Sequence, residues 1–597
     1  MSMRTHPPPG SLAEVAATLG ALGRVLPDAP CGLLQGVPGV LRRWAHCAPD
    51  ALCLVDLERC FTAGQVDLEV DRLADFWRAR GLNPGDCVAV LMGNRLEALL
   101  HTLAVGRLGG VTALVAPDLR GRALEHALGL ALARALVCDA DTAQAVETTN
   151  FRGALGTWLG AGSPGTLPLP DVRDALPERA RRPRFDRPLG FEARFVLLYT
   201  SGTTGLPKAA PIRHTRWLMA GAAFQSFALH LQTHDVVFTP LPLHHASAQL
   251  VAWSSALAAR CAFACAPHFS ARAYLDQART VGATVGVYVG ELCRYLLQSP
   301  PRADDADHGL HTFVGNGLRG DIWPAFVERF GRPRIVEFYG ATEGNVALVN
   351  RTGKVGSCGR PPPFMVGPLD GAELVRFDVA TETHPRDADG HLQRAAPGEI
   401  GELIARIGWI PYERFDGYLD GAATEAKVLR DVFRTGDAYF RTGDLLTRDT
   451  DGDFFFVDRI GDTFRWKGEN VSTQSVAEAL VGAGGASLLV VYGVALPGAD
   501  GRVGMAAVVP GLEGFDGKAF FEAAEARLRP AERPAFVRLT KSLETTGTQK
   551  FRRVALQREG VTPTNGDQVL RRSIEGRTYS PISAEERAAI EAGTLRP

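Results

Sequence analysis

Short, mostly apolar runs recur along this chain, separated by segments with helical spacing. Residues 87–92 read CVAVLM, and the same rhythm returns at 133–138, 195–199, 236–240, 285–289, 312–314 and 335–339. A strand made only of apolar residues is buried on both faces, and such strands belong to parallel sheets covered by helices. The intervening segments, such as 66–80, carry the helical period. The expected fold class is therefore α/β. With 597 residues the chain is too long for a single core, so two or more domains are expected.

Near residue 398 the texture changes. Residues 398–404 (GEIGELI) are short-stranded, and 445–447 and 454–457 flank the turn DTDGD at 449–453, which predicts a hairpin. Beyond residue 462 a compact α+β unit is expected, with helices over 472–481 and 518–528 and strands over 487–494 and 505–509. We expect a large α/β domain with a β-rich segment over 1–460 and a small α+β domain over 461–597. The segment 162–188, rich in Pro, Gly and Arg, reads as a surface connection.

The net charge of -1 gives no overall basic field to draw the molecule to nucleic acid, and no nucleic-acid partner is expected. Ten cysteines lie between Cys31 and Cys358. The nearest pair, Cys261 and Cys265, is not followed by the second pair that a zinc site needs, so reduced thiols are expected. The start, MSMRTHPPPG, lacks an apolar core, and the apolar stretch 123–137 is broken by Glu125, His126 and Arg134. A cytoplasmic protein is expected, with peripheral contact to a membrane left open. Oligomeric state is not legible.

The strongest chemical motif is Tyr199-Thr200-Ser201-Gly202-Thr203-Thr204-Gly205-Leu206-Pro207-Lys208, placed just after a strand. Hydroxyls, two glycines and a lysine in one loop supply donors and allow close backbone approach, which suits a polyphosphate. It is not a Walker A loop, because Lys208 does not directly follow a glycine and no Ser or Thr follows it. A second pattern, Gly315-Asn316-Gly317-Leu318-Arg319-Gly320, satisfies G-x-G-x-x-G. It follows a strand, precedes a helix-like segment over 321–330 and has Glu337 downstream. Alone, that would suggest an NAD-dependent oxidoreductase.

The first motif resembles the phosphate loop of adenylate-forming enzymes: acyl-CoA synthetases, luciferases and peptide-synthetase adenylation domains. Other strings agree in order. They are Leu241-Pro242-Leu243-His244-His245, Tyr339-Gly340-Ala341-Thr342-Glu343, Arg441-Thr442-Gly443-Asp444, Asp458-Arg459 and Gly547-Thr548-Gln549-Lys550. A narrower resemblance is to the fatty-acid transport protein/very-long-chain acyl-CoA synthetase branch. It rests on 289–296 (VGELCRYL), 335–345 (IVEFYGATEGN) and 461–470 (GDTFRWKGEN). Together these similarities run over residues 50–590.

The resemblance implies an ATP-dependent acid–thiol ligase that joins a fatty acid or similar carboxylate to coenzyme A through acyl-AMP. ATP and Mg²⁺ would bind between a large domain and a small mobile one. Glu343, with Thr342 beside it, would hold Mg²⁺, and His245 would orient the carboxylate or shape the acyl entrance. Gly315, Asn316 and Gly317 would line adenine, with Phe338, Tyr339, Gly340 and Ala341 also on the nucleotide. Gly468 would approach the pantetheine arm, and Lys550 would stabilise the adenylation transition state. The acyl pocket would involve residues around 287–292 and 344–347. Rival readings are a ligase that delivers acyl-AMP to a carrier protein and a non-catalytic lipid-binding protein. The retained Lys208, Glu343, Asp444, Arg459 and Lys550 argue against lost catalysis.

One assignment has its own geometric basis. A hairpin over 445–457 brings its two ends side by side, which puts Asp444 near Asp458 and Arg459. There a carboxylate can accept both ribose hydroxyls. The echoed FRTGD containing Asp437 precedes the hairpin, so Asp437 is expected to be a solvated loop acid.

Overall fold

The apolar runs become strands of two separate sheets. A computed structural model describes residues 29–162, 169–178, 189–190, 192–201, 206–362, 371–379, 381–410, 412–466, 469–497, 501–544, 551 and 553–595. It forms two compact units. One holds the chain to Gly371 together with Arg406–Val428, and the other holds Ala372–Ala405 together with Leu429–Pro597.

In the first unit a six-stranded sheet runs Thr157–Ala161, Ala133–Asp139, Cys87–Leu91, Val111–Val115, β1 (Arg194–Ser201) and β2 (Pro207–Arg213). The first five are parallel, and β2 returns antiparallel to β1 at the edge. An edge strand tolerates Pro207 and Pro211, because the missing N–H is not needed by a further neighbour. Helix α1 (His214–Ala223) follows directly.

The second sheet has eight strands. Its six central members are parallel: Leu52–Val55, Ala262–Cys265, Val236–Thr239, β3 (Val285–Val289), β4 (Thr312–Asn316) and β5 (Arg334–Gly340). Short antiparallel strands, Cys60–Thr62 and Ala347–Val349, close the two edges. Every residue of Cys87–Leu91 and Val111–Val115 is buried, which is why these strands carry no alternation. Helix α2 (Gly290–Gln298) leaves the end of β3.

The second unit holds Ala372–Arg376, Gly401–Arg406, β6 (Ala438–Arg448) and β7 (Phe454–Arg459) in one sheet. Its second sheet runs Ala486–Ala495, Arg502–Pro510, Phe536–Leu539, Gln568–Ser573 and Thr578–Pro581. Helices Thr473–Leu480 and Gly517–Arg527 pack on it around Phe464, Val476, Tyr492, Met505 and Phe520. The first helix starts where Ser472 accepts the amide of Ser475, a side-chain N-cap. The last two strands and the helix Ala584–Glu591 lie beyond the elements expected from the sequence. The described cysteines are free thiols, and among the described residues no helix is long and apolar enough to cross a membrane.

Two buried histidines of the first unit act as acceptors. The Trp77 indole donates to His101 Nδ1 at 3.3 Å, and the Val37 amide donates to His214 Nδ1 at 3.1 Å. Both bonds need an unprotonated Nδ1. Burial pushes His101 down to about 4 and His214 to about 3, from an ordinary 6.5. Protons therefore prefer the unfolded chain, and stability is complete above about pH 6.5 and lost as the pH falls through the folded values. The melting temperature should be level on the alkaline side of that point and decline below it. His101→Gln, which keeps an acceptor that does not titrate, should shallow the decline.

Candidate active site

Sequence motifs far apart in the chain meet in the first unit because parallel strands end on the same edge. The antiparallel register of β1 and β2 sets Thr200 opposite Lys208 and Ser201 opposite Pro207, so the two ends of the phosphate-loop motif lie side by side on paired strands. Tyr199 turns inward, and its hydroxyl donates to the Ala127 carbonyl at 2.7 Å. Residues Gly202, Thr203, Thr204 and Gly205 lie outside the described residues.

The second component comes from the end of β5. Phe338, Tyr339 and Gly340 finish the strand, and Ala341, Thr342 and Glu343 continue as an irregular turn. Phe338 packs edge-on against Phe224, with ring centroids 5.2 Å apart. Arg216 of α1 donates to the carbonyls of Gly344 at 2.6 Å and Ala341 at 3.3 Å, holding the turn at both ends. Removal from water pushes Arg216 down to about 10, and the Glu343 carboxylate opposes that shift, so the guanidinium stays charged. Asn345 fixes the next stretch by donating to the carbonyls of Arg406 and Glu413, each at 2.7 Å.

The segment 406–428 supplies the third component, and nothing in the sequence reading marked it. The phenol of Tyr418 faces both Glu343 and Thr200. Burial and the Glu343 charge hold it well above the ordinary tyrosine range. The Lys208 ammonium lies 5.4 Å from the centre of the Tyr418 ring, and Lys427 Nζ is 4.0 Å from a Glu343 carboxylate oxygen. Glu343 itself is buried. A buried acid, two ammonium groups, a guanidinium and hydroxyls thus surround one place, which suits an anionic ligand bearing a metal.

The Leu241–His245 motif is pinned separately. Asn94 donates to the Leu241 carbonyl at 2.9 Å and accepts the Leu243 amide at 2.9 Å. The rings of His244 and His245 lie with centroids 4.2 Å apart and planes tilted by 47°, just ahead of the π-helical turn Ser247–Trp253. Gly315 and Asn316 end β4, and Gly317 follows with φ of 84°, a conformation that favours glycine.

In the second unit, β6 and β7 place Asp444 directly opposite Arg459 and Leu445 opposite Asp458. Arg459 Nε is 3.4 Å from Asp444 Oδ1. Asp458 faces away, accepting the Thr473 amide at 2.6 Å. The turn before Asp444 is fixed by Glu402, a fully buried carboxylate that accepts the Gly443 amide at 2.9 Å and binds Arg441 and His384. Asp437 accepts the amides of Val432, Phe433 and Arg434, so it ties a turn together where a solvated acid was expected. Gly468 and Lys550 lie outside the described residues.

Residues 41–406 match the AMP-binding enzyme family. The chain belongs to it. Long-chain fatty acid transport protein 1 of Mus musculus is 37% identical over 572 residues, covering 93% of this chain and 88% of the relative. A medium/long-chain-fatty-acid–CoA ligase of Mycobacterium tuberculosis is 37% identical over 526 residues, covering 88% of this chain and 85% of the ligase. ATP-bound MatB from Rhodopseudomonas palustris shares the fold, with a TM-score of 0.73 at 22% identity, covering 88% of this chain and all of that one. In an AMP-binding enzyme of this geometry, Tyr418→Phe removes the hydroxyl that faces Thr200 and Glu343. Calorimetry should show AMP binding weakened by about tenfold, the scale of one hydrogen bond to a charged group, with the melting temperature little changed. Unchanged AMP affinity would remove Tyr418 from the site.

Proposed function

We propose that this chain is a long- or very-long-chain fatty acyl-CoA synthetase that uses ATP and coenzyme A. The observation that carries the reading is the likeness to fatty-acid transport proteins and a fatty-acid–CoA ligase over nearly the whole chain. The cluster of Thr200, Lys208, Arg216, Glu343, Tyr418 and Lys427 supports it with the charges the chemistry needs.

In the first half-reaction a carboxylate oxygen attacks the α-phosphorus of ATP, and the bond to the departing pyrophosphate breaks, leaving acyl-AMP. In the second, the coenzyme A sulfur attacks the acyl carbonyl, the thiol proton leaves, and the bond to AMP breaks. Two anions must approach each other in the first step, so positive charge placed in advance lowers the barrier. Lys208 and the phosphate loop would hold the triphosphate, and Arg216 would keep the Tyr339–Gly340 strand end and the turn after it in place. Glu343 and Thr342 offer a carboxylate and a hydroxyl, a donor set that suits Mg²⁺ completed by phosphate oxygens. Bound there, Mg²⁺ would neutralise charge on the departing pyrophosphate. Asp444 would accept the ribose hydroxyls, with Arg459 beside it, and His245 would orient the acid. Gly468 would approach pantetheine.

The portion 461–597 would move between half-reactions, and Gly461, with φ of 91°, offers a backbone conformation open to that change. Lys550 would meet the developing phosphoryl charge in the first step only. A cytoplasmic location with peripheral membrane contact belongs to the same reading, because a long-chain acid partitions into a bilayer. Cosedimentation with anionic vesicles checks it.

Thioester formation measured across acids of graded chain length, with a bile acid included, tests the proposal. We expect a maximum at long chains, and Lys550→Ala should lose thioester from acid and ATP while keeping it from supplied acyl-AMP. Acyl-AMP without thioester would point to a carrier-protein acceptor. No ATP turnover with any acid would point to a lipid-binding protein.

A further inference from the structure

We propose that Glu337 is the positioning residue for the adenine-facing turn, fixing it through the backbone amides of Gly317 and Leu318 while Tyr288 holds its carboxyl group. This rests on the reading that 315–317 line the base.

The placement follows from three adjacent parallel strands. The register sets Tyr288 of β3 beside Gly315 of β4, and Gly315 beside Glu337 of β5. One Glu337 carboxyl oxygen accepts the Gly317 amide and, at 3.2 Å, the Leu318 amide. The other receives the Tyr288 hydroxyl. Glu337 is 3% exposed and Tyr288 fully buried, so neither side chain is a surface group that touches solvent-borne ligands directly. A turn whose consecutive amides point inward at one acceptor has its outer face set by that acceptor. Without it, the buried Leu318 N–H and the Gly317 N–H beside it would lose their shared acceptor, and the turn would rotate to find another.

The glycines around this group support a tight fit. A Cβ on Gly315 would strike the Tyr288 carbonyl and ring, and one on Gly290 would strike the Gly317 carbonyl. The strand ends therefore approach closely, and the carboxyl reaches the turn across one strand spacing. The group's partners are amides and a phenol, and burial pushes the Glu337 carboxyl up to about 8. A glutamine amide has the same shape, and its oxygen can accept both backbone amides while its nitrogen donates to the Tyr288 oxygen.

The position also accounts for the dinucleotide-like spacing of Gly315–Gly320 and Glu337. In that pattern the downstream acid would meet a ribose hydroxyl. Here the acid lies under the glycine turn and shapes it from below.

The test uses the full chain and three variants, reading KM for ATP, kcat, and the preference for ATP over GTP. Glu337→Ala should raise the KM for ATP by about tenfold and lower the ATP preference by a similar factor, with kcat at saturation changed by less than about threefold. Glu337→Gln should restore both to within about threefold of wild type, and Tyr288→Phe should move both in the direction of Glu337→Ala by about threefold. If Glu337→Ala does not accumulate as folded protein, the other two variants carry the test. A merely structural role would lower the melting temperature and kcat while leaving KM for ATP and base preference unchanged, and that result overturns the proposal. ATP should raise the melting temperature of the wild type. If it does not, the reading of the nucleotide site fails, and the positioning role fails with it. Binding by wild type with unchanged base preference in every variant defeats the positioning role alone.

Discussion

Arg216 is the contact on which the candidate site depends. Its guanidinium spans the turn after β5, binding the Ala341 and Gly344 carbonyls and lying near Glu343. A buried carboxylate such as Glu343 is costly unless cations or donors surround it. Arg216, Lys427 and Tyr418 supply them, and the Lys208 ammonium lies by the Tyr418 ring. The same arrangement that makes Glu343 tolerable in the fold makes the place receptive to phosphates and a metal. Stability and chemistry ask for the same charges here.

Parallel topology explains how so few elements suffice. Strands β3, β4 and β5 end side by side, so the segments leaving them are neighbours without being neighbours in sequence. The phosphate-loop hairpin of the other sheet and the segment 406–428 join them. That segment returns to the first unit after the strands at Ala372–Arg376 and Gly401–Arg406 have entered the second. Arg213 of β2 pairs with Asp416, and the Leu419 amide donates to the Ala209 carbonyl, so Tyr418 is delivered by strand-edge contacts on both sides.

The strands were legible because burial on both faces leaves a mostly apolar run, and 285–289 was bounded to the residue. Their division between two sheets was not, since an apolar run carries no mark of its neighbours. The Asp444–Arg459 pairing could be read because a hairpin converts sequence distance into spatial distance by counting. Arg216, Tyr418 and Lys427 gave no such clue. Each is one polar residue in an ordinary segment, brought in by long-range contacts. The spacing of Glu337 from the glycine turn fits a dinucleotide pattern that the family resemblance set aside, and where its carboxyl points depends on Tyr288, which lies 49 positions away in the chain. Asp437 shows the same limit, because only the folded turn reveals its three amide partners.

The central claim is that this site activates a carboxylate by joining it to AMP. The most direct measurement supplies a fatty acid labelled with oxygen-18 in both carboxyl oxygens, together with ATP and coenzyme A, and follows the label by mass spectrometry. Attack on the α-phosphorus leaves one carboxyl oxygen on that phosphorus when the thioester forms. The account predicts AMP carrying a single labelled oxygen and pyrophosphate carrying none. Thioester formed with ADP and labelled inorganic phosphate would contradict it, because the acid would then have attacked the terminal phosphate.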